Sequence, residues 1–188
     1  MARIPLIDPD NLTAEQREVY DRVVSGPRGR VQGPLLAALH RPELADKWQQ
    51  FGEILRYRTS LPARFSEIAI LVTAVRWRCE LEWHLHTGFA LTAGVTQVVI
   101  YDIFLGRQPR EATAEEIAVY DFAADLLNLG RVRPEAYEKI LSRWNVVGVV
   151  ELTALIGYYT MVAMTLNAHE FPLPAGVTPV FESKWDMA

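Results

Sequence analysis

Four side chains that could carry chemistry fall within one short stretch, between positions 67 and 86. Cys79, Glu82 and His86 stand at i, i+3 and i+7, so on a helix a thiol, a carboxylate and an imidazole share one face. Glu67 lies upstream in a largely apolar run, where an ionisable side chain needs a reason to be present. Proteins use these groups for proton transfer and for thiol chemistry. This cluster is therefore the candidate catalytic site.

Each member of the cluster also has a structural interpretation when taken singly. A lone cysteine such as Cys79 is commonly a small buried hydrophobe, and His86 can be a core histidine with a satisfied ring. Glu82 can be a solvated residue that pairs with His86 at i, i+4, and Glu67 can occupy a first helical turn, where the helix dipole favours acids. Their coincidence on one apolar segment favours function, because mutually perturbed ionisable groups cluster at sites.

Metal binding is the weaker functional interpretation of the same residues. Glu82 and His86 could hold two positions of a metal site, but on a helix His84 points well away from them. No third ligand is identifiable, and two protein ligands are too few to hold a transition metal. We expect no metal and no other cofactor.

The composition predicts one globular domain that spans residues 1–188. Half of the 188 residues are hydrophobic, enough to bury a full core. The 19 basic residues are scattered among 23 acidic ones, for a net charge of −4, so nucleic acid is not an expected partner. The N-terminus lacks the pattern of a signal peptide and a single cysteine cannot form an internal disulfide, which predicts a cytoplasmic protein.

The most apolar segment, residues 146–164, raises the question of a membrane span. Gly148, Glu151 and Gly157 interrupt it, together with two adjacent tyrosines. A buried or interface helix therefore explains the segment better than membrane insertion does. The tyrosines and nearby methionines are typical of a core or a subunit contact.

Helical periodicity and capping signals predict an all-α bundle of about six to eight helices. Capping boxes begin at Thr13 and Thr113, and prolines open further helices. The predicted helices cover 13–24, 34–39, 43–57, 62–94, 96–105, 113–128, 134–144 and 146–169, between an extended leader (1–12) and an irregular tail (172–188). In the third of these, a stripe predicted to lie in the core comprises Leu44, Trp48, Phe51, Ile54 and Leu55.

The central segment, 62–94, is longer than one ordinary globular helix. On a straight helix Glu67 and Cys79 point roughly 120° apart, so they converge only if the helix breaks near residues 77–79. Neither glycine nor proline marks that position. A break is nevertheless the expectation.

The segment resembles the carboxymuconolactone decarboxylase superfamily, which also contains the alkyl hydroperoxidase D proteins. The resemblance lies in Glu67, Cys79-Glu-Leu-Glu82-Trp83, His86, Ala90 and Gly94, with Gly148-Val-Val-Glu151-Leu, Ile156-Gly-Tyr-Tyr159 and Asn167 in support. It implies an all-helical fold that assembles as a homotrimer or homohexamer, with the site near a subunit interface. It also implies a small-molecule substrate.

The peroxidase branch of that superfamily is similar at Glu67, Cys79 and His86 but differs at one position. Its active segment carries a second cysteine three residues after the first, and here Glu82 stands in that place. No internal disulfide can therefore form after peroxide attack. A carboxylate one turn away also disfavours the thiolate. A thiol peroxidase that uses Cys79 with an external reductant remains an alternative.

The decarboxylase branch, whose site residues act as acid and base, suits a carboxylate at Glu82 better. The preferred hypothesis is a cofactor-free lyase or isomerase acting on a small carboxylated lactone or cyclic acid, with His86 as general base. Glu67 would orient the imidazole or relay a proton, and Glu82 or Cys79 would donate a proton to the substrate. The residues expected to bind the substrate are Arg76, Arg78 and Trp83, the arginines through its carboxylate. A non-enzymatic oligomeric binding protein is the second alternative.

Overall fold

The computed structural model describes residues 2–181, and within that range the chain is all-α. Eight α-helices follow a short 3-10 helix, Pro9–Asn11, and no β-strand occurs among the described residues. The helices are α1 (Ala14–Ser25), α2 (Pro34–Ala38), α3 (Pro42–Tyr57), α4 (Ala63–Trp77), α5 (Glu80–Thr92), α6 (Gln97–Phe104), α7 (Ala114–Leu129) and α8 (Pro134–Ala168). The predicted fold class is confirmed.

Helix starts follow the capping signals of the sequence. The Thr13 hydroxyl accepts the N–H of Gln16, whose side chain accepts the N–H of Thr13 in return. Thr113 and Glu116 form the same reciprocal pair at the start of α7. Each box satisfies two backbone donors that a helix otherwise leaves unpaired. Both predicted capping boxes are confirmed.

The predicted break in the central segment is also confirmed. Helix α4 ends at Trp77, Arg78 adopts a left-handed conformation with φ of 50°, and α5 begins at Glu80. The N–H of Cys79 donates to the carbonyl of Ala74 at 2.9 Å, which closes the end of α4. Arg78 thus takes the position that glycine usually occupies at a helix C-terminus, which explains why no glycine marked the break.

The chain groups into two compact units. The first contains Met1–Thr59 and Thr165–Pro172, and the second contains Ser60–Met164 and Leu173–Ala188, described as far as residue 181. In the second unit α4 is the central helix and packs against α5, α6 and α7. Ten successive residues of α4, 65–74, are buried, as expected for a helix that is covered on every side. One domain across the whole chain remains a prediction.

In the first unit α3 packs against α1 and α2, and the predicted core stripe on α3 is only partly correct. Trp48 and Leu55 are buried, but Leu44, Phe51 and Ile54 are exposed. The buried arc is rotated toward the small residues of the helix, Ala45 and Gly52, which let neighbouring helices approach closely. The prediction is wrong for the three exposed residues because hydrophobicity alone does not show which edge of a stripe is covered.

The helix α8 contains a local interruption. Asn145 has φ of 54° and ψ of −168°, and its side-chain oxygen accepts the N–H of Val147 at 2.7 Å. The chain therefore restarts at 146, as the separate helices predicted for 134–144 and 146–169 require. By length and hydropathy this helix could cross a membrane, but half of its apolar window is buried inside the protein, as in the core helix of a soluble protein. A cytoplasmic location stays a prediction.

The chain outside the helices is irregular. The predicted leader, 1–12, contains the 3-10 turn at Pro9–Asn11, and Asp8 caps that turn. The predicted tail is free of helix and strand from residue 172 to 181. Its remaining positions, 182–188, lie outside the described residues.

Candidate functional site

The imidazole of His86 lies between two carboxylates. Its Nδ1 atom is 2.6 Å from Oε2 of Glu67, and its Nε2 atom is 3.3 Å from Oε2 of Glu82. The three residues are 3%, 7% and 5% exposed, respectively. A histidine held at both ring nitrogens by buried acids is an arrangement suited to moving protons.

Two adjacent helices bring these three residues together. Glu67 comes from α4, whereas Glu82 and His86 are one turn apart on α5. The left-handed residue Arg78 reverses the chain so that α5 packs against α4. A carboxylate within the buried part of α4, residues 65–74, is tolerated because the imidazole provides its hydrogen-bonding partner.

The arrangement defines a direction for proton movement. When the Nδ1 atom carries the ring proton, Oε2 of Glu67 accepts it and holds His86 in that tautomer, as carboxylates do for catalytic imidazoles. The lone pair of Nε2 then points toward Glu82. His86, oriented by Glu67, is suited to act as a general base. Glu82, which lies beside it, is suited to act as a general acid.

Cys79 is the N-cap residue of α5 and is 1% exposed. Burial is the main cause that raises the pKa of its thiol, and the negative charges of Glu82 and Glu80 raise it as well, to about 12 in total. Backbone amides of the first turn of α5 oppose this rise but do not offset it. At neutral pH the side chain is therefore a thiol, with little of the thiolate that nucleophilic chemistry needs.

The three residues predicted to bind substrate lie at the ends of α4 and α5. The Nε of Arg76 donates to the carbonyl of Leu127 at 3.3 Å, and its guanidinium lies 5.3 Å from the ring of Trp77. Arg78 lies 5.8 Å from the ring of Phe181. Trp83 is buried and packs against Phe104, with ring centroids 5.4 Å apart. Their roles in binding stay predictions.

Two aromatic rings beside His86 were not among the predicted site residues. The ring of Tyr159 on α8 meets the imidazole edge-on, with ring centroids 5.0 Å apart and an interplanar angle of 83°. The ring of Phe89 also meets it edge-on, with a centroid distance of 5.4 Å and an interplanar angle of 69°. Helical spacing could have indicated Phe89, which is three residues after His86 on α5. No local pattern could have assigned Tyr159 to this imidazole, because the contact depends on how α8 folds back.

No group of three or more histidine, cysteine or acidic side chains in residues 2–181 has the geometry to hold a metal ion. The groups that lie next to the imidazole of His86 are the carboxylates of Glu67 and Glu82 and the rings of Tyr159 and Phe89. The further prediction that no cofactor participates stays a prediction.

Part of the chain is similar to a known protein family. Residues 42–125 match the model of the carboxymuconolactone decarboxylase family. This range contains Glu67, Cys79, Glu82 and His86. No curated protein matches the sequence.

Solved structures share the fold at low sequence identity. The chain is similar to the crystal structure of an uncharacterized peroxidase-related protein with an alkylhydroperoxidase core from Ralstonia eutropha JMP134, at 15% identity and a TM-score of 0.76 over 93% of both chains. It is also similar to an uncharacterized peroxidase-related protein from Silicibacter sp. TM1040, at 16% identity and a TM-score of 0.74 over 93% of this chain and 92% of that one. The chain is also similar to a protein of unknown function from Agrobacterium tumefaciens, at 15% identity and a TM-score of 0.66 over 77% of this chain and 99% of that one.

The fold and the matching segment define a helical protein of the alkylhydroperoxidase-like type. The matched segment, residues 42–125, is similar to the carboxymuconolactone decarboxylase family, and the fold of the chain is shared with alkylhydroperoxidase-like structures. The match in fold does not by itself distinguish acid/base from thiol chemistry, because one fold hosts several activities.

Proposed function

We propose that this protein is a cofactor-free acid/base enzyme that acts on a small carboxylated lactone or cyclic acid. The observation that supports the proposal most is the position of His86, held between Glu67 at 2.6 Å and Glu82 at 3.3 Å in a buried site. General acid and base groups of this kind contribute about 100- to 10,000-fold to a rate.

The proposed reaction is a decarboxylation or an isomerisation that passes through a stabilised carbanion. In the first case the bond between the ring carbon and the carboxylate breaks, carbon dioxide leaves, and the electron pair is delocalised into the lactone carbonyl as a dienolate. A proton from Glu82, relayed by His86, then adds to carbon, and Glu82 is left as a carboxylate until a proton from solvent replaces the one it gave. In the second case His86 removes a ring proton and returns it at another carbon, so no external acid or base is consumed.

The roles of the four residues follow from their neighbours. Glu67 orients the imidazole through Nδ1, His86 exchanges the proton through Nε2, and Glu82 stores it. Cys79 lines the site as a neutral thiol, because its pKa of about 12 keeps it protonated. Arg76, Arg78 and Trp83 would bind the substrate, the arginines through its carboxylate.

A single-cysteine thiol peroxidase is the second candidate function. Two observations favour it: backbone amides of the α5 N-terminus lie at Cys79, and two of the similar structures belong to peroxidase-related proteins. The buried, high-pKa thiol and the carboxylate at position 82 work against it. Treatment with hydroperoxide followed by mass spectrometry separates the candidates, because an activated Cys79 forms a sulfenic acid rapidly.

A screen for ligands tests the proposal against a third candidate, a binding protein without activity. A thermal-shift screen of small aromatic and lactone acids identifies ligands, since a ligand of the native state raises the melting temperature. The ligands found are then assayed for turnover. Binding that is accompanied by conversion supports the enzyme, whereas binding of the same acids without any conversion overturns it.

We also propose that the protein self-associates as a trimer or hexamer. Helix α8 presents a stripe of exposed apolar and small residues at spacings of three, four and seven, which comprises Val146, Val150, Gly157, Met161 and Met164. Val146 and Val150 are 66% and 61% exposed. An exposed apolar stripe of this length is typical of a subunit interface.

A further inference from the structure

Glu80 binds the C-terminal segment of the chain. Its Oε2 accepts the N–H of Val180 at 3.0 Å, and its Oε1 accepts the N–H of Phe181 at 2.7 Å. The segment from residue 173 to 181 has no helix or strand of its own. A carboxylate that accepts two consecutive amides fixes both the position and the direction of such a segment, and charge-assisted hydrogen bonds are stronger than neutral ones.

Aromatic contacts hold the same end of the segment in an independent way. The ring of Phe181 stacks on Phe104 with centroids 5.6 Å apart, and it meets the edge of Trp83 at 6.1 Å. The guanidinium of Arg78 lies 5.8 Å from the centre of the Phe181 ring. Stacking and cation–π contacts of this kind each add modest stability.

The residues that make these contacts lie close to Cys79 in the sequence. Arg78 precedes it, Glu80 follows it, and Trp83 is one helical turn further on the same side of α5. All three contact Val180 or Phe181, so the segment lies over the end of the helix that carries the thiol. Cys79 is almost completely buried there.

The segment does not pack tightly on α5 along its whole length. A cleft of about 150 Å³ lies beside it, lined on the helix by Glu80, Trp83, His84 and Thr87 and on the segment by Leu173, Val177, Thr178 and Val180. Because side chains do not fill this space, we expect that lifting the segment would break the two hydrogen bonds to Glu80 and the Phe181 contacts and would leave the helical core in place.

We propose that residues 173–181 form a strap, fastened by Glu80 and Phe181, that covers the Cys79 end of the site and opens to admit small molecules. This inference goes beyond the proposed function, because the strap controls access whichever reaction the site performs. The only thiol in the chain provides a reporter that needs no substrate.

The experiment measures the rate at which a small maleimide alkylates Cys79 at a fixed pH. The variants are Phe181→Ala and a chain that ends at Pro172, both of which keep Glu80, because the charge of Glu80 itself affects the pKa of the thiol. We expect alkylation to be about tenfold faster or more in the shortened chain, and faster by a smaller factor in Phe181→Ala. Glu138→Gln, which changes an exposed carboxylate of α8, is the control and should leave the rate unchanged.

Hydrogen exchange followed by mass spectrometry distinguishes strap opening from unfolding. In Phe181→Ala and in Glu80→Gln, the amides of 173–181 should exchange faster while those of α5 keep their protection. Equal alkylation rates in the wild type, the shortened chain and Phe181→Ala would overturn the proposal. Faster alkylation that is matched by exchange throughout α5 would also overturn it, since the thiol would then be reached by unfolding of the helix. If the shortened chain does not fold, Phe181→Ala decides the question.

Discussion

The Nδ1 atom of His86 lies 2.6 Å from the Oε2 atom of Glu67, and this contact joins two helices that are separated by a left-handed arginine. Both side chains are buried. A short contact between a carboxylate and an imidazole in such surroundings orients the ring and leaves its second nitrogen for chemistry. Glu82 faces that second nitrogen.

We predict that Cys79 reacts slowly with alkylating reagents at neutral pH. Its pKa of about 12 means that the rate should rise about tenfold per pH unit from about pH 7 to about pH 10, without a plateau. Burial is the main cause, and the Glu82 charge is the second, so Glu82→Gln should shift the profile to lower pH. The measurement is iodoacetamide kinetics followed by mass spectrometry. A plateau below about pH 8 in the wild type would show an activated thiol and favour the peroxidase.

We predict that the protein lacks efficient peroxidase turnover with a dithiol donor. Glu82 occupies the place where a resolving thiol would be needed, and no other cysteine exists. Glu82→Cys should therefore gain turnover that the wild type lacks, measured as consumption of an organic hydroperoxide. Glu82→Ser serves as the control for removal of the charge without addition of a thiol. If the wild type reduces hydroperoxide as fast as Glu82→Cys, the argument from the missing thiol is wrong.

Much of the local structure was predictable from short-range signals. The two capping boxes at Thr13 and Thr113 use residues three apart, so the sequence shows them directly. Glu82 and His86 meet across one helical turn for the same reason. The need for a break near Arg78 followed from the angle between Glu67 and Cys79, although the residue that adopts the left-handed conformation was not itself a signal.

What the sequence did not show depends on contacts between distant segments. Tyr159 reaches His86 because α8 folds back, and Glu80 binds amides a hundred residues later in the chain. Neither contact has a local pattern. The exposure of Leu44 on α3 likewise depends on which edge of an apolar stripe the neighbouring helices cover.

We predict that ion pairs from two partly exposed arginines to the buried Asp102 stabilise the end of α6. Asp102 is fully buried and accepts hydrogen bonds from Arg107 and Arg110, and those from Arg110 are the main reason that its pKa lies well below its usual value of 3.8. A lowered pKa in the folded state means that the stabilisation is present above about pH 4 and is lost as the pH falls toward the folded pKa. Asp102→Asn should therefore lower the melting temperature at pH 7, with a difference from wild type that shrinks in acid.

Differential scanning calorimetry at a series of pH values measures this effect. Asp21→Asn provides the control, because its exposed carboxylate forms only a 3.8 Å surface pair with Arg17. A melting temperature of Asp102→Asn equal to that of the wild type at pH 7 would show that these ion pairs contribute nothing to stability.

We predict that the purified protein is an oligomer. Light scattering should give a mass of about three or six times the 21.3 kDa chain at micromolar concentration. Val150→Lys places a charge in the exposed stripe of α8 and should shift the population toward the monomer. Leu129→Lys, at the exposed end of α7, is the matched control. A monodisperse species near the mass of one chain in the wild type would refute the prediction.

The central claim is that Glu67, His86 and Glu82 act as one proton-handling unit, and the most direct measurement is the turnover of a lactone or cyclic acid found in the ligand screen. We predict that His86→Asn and Glu67→Gln each reduce kcat/KM by about 100- to 10,000-fold, and that the double variant loses much less than the product of the two effects. Cys79→Ser should lower kcat/KM only mildly, and His40→Asn, which changes an exposed histidine outside the site, should leave kcat/KM unchanged. Near-wild-type kcat/KM with an unaltered pH profile in both single variants would contradict the account and reduce the cluster to helix packing.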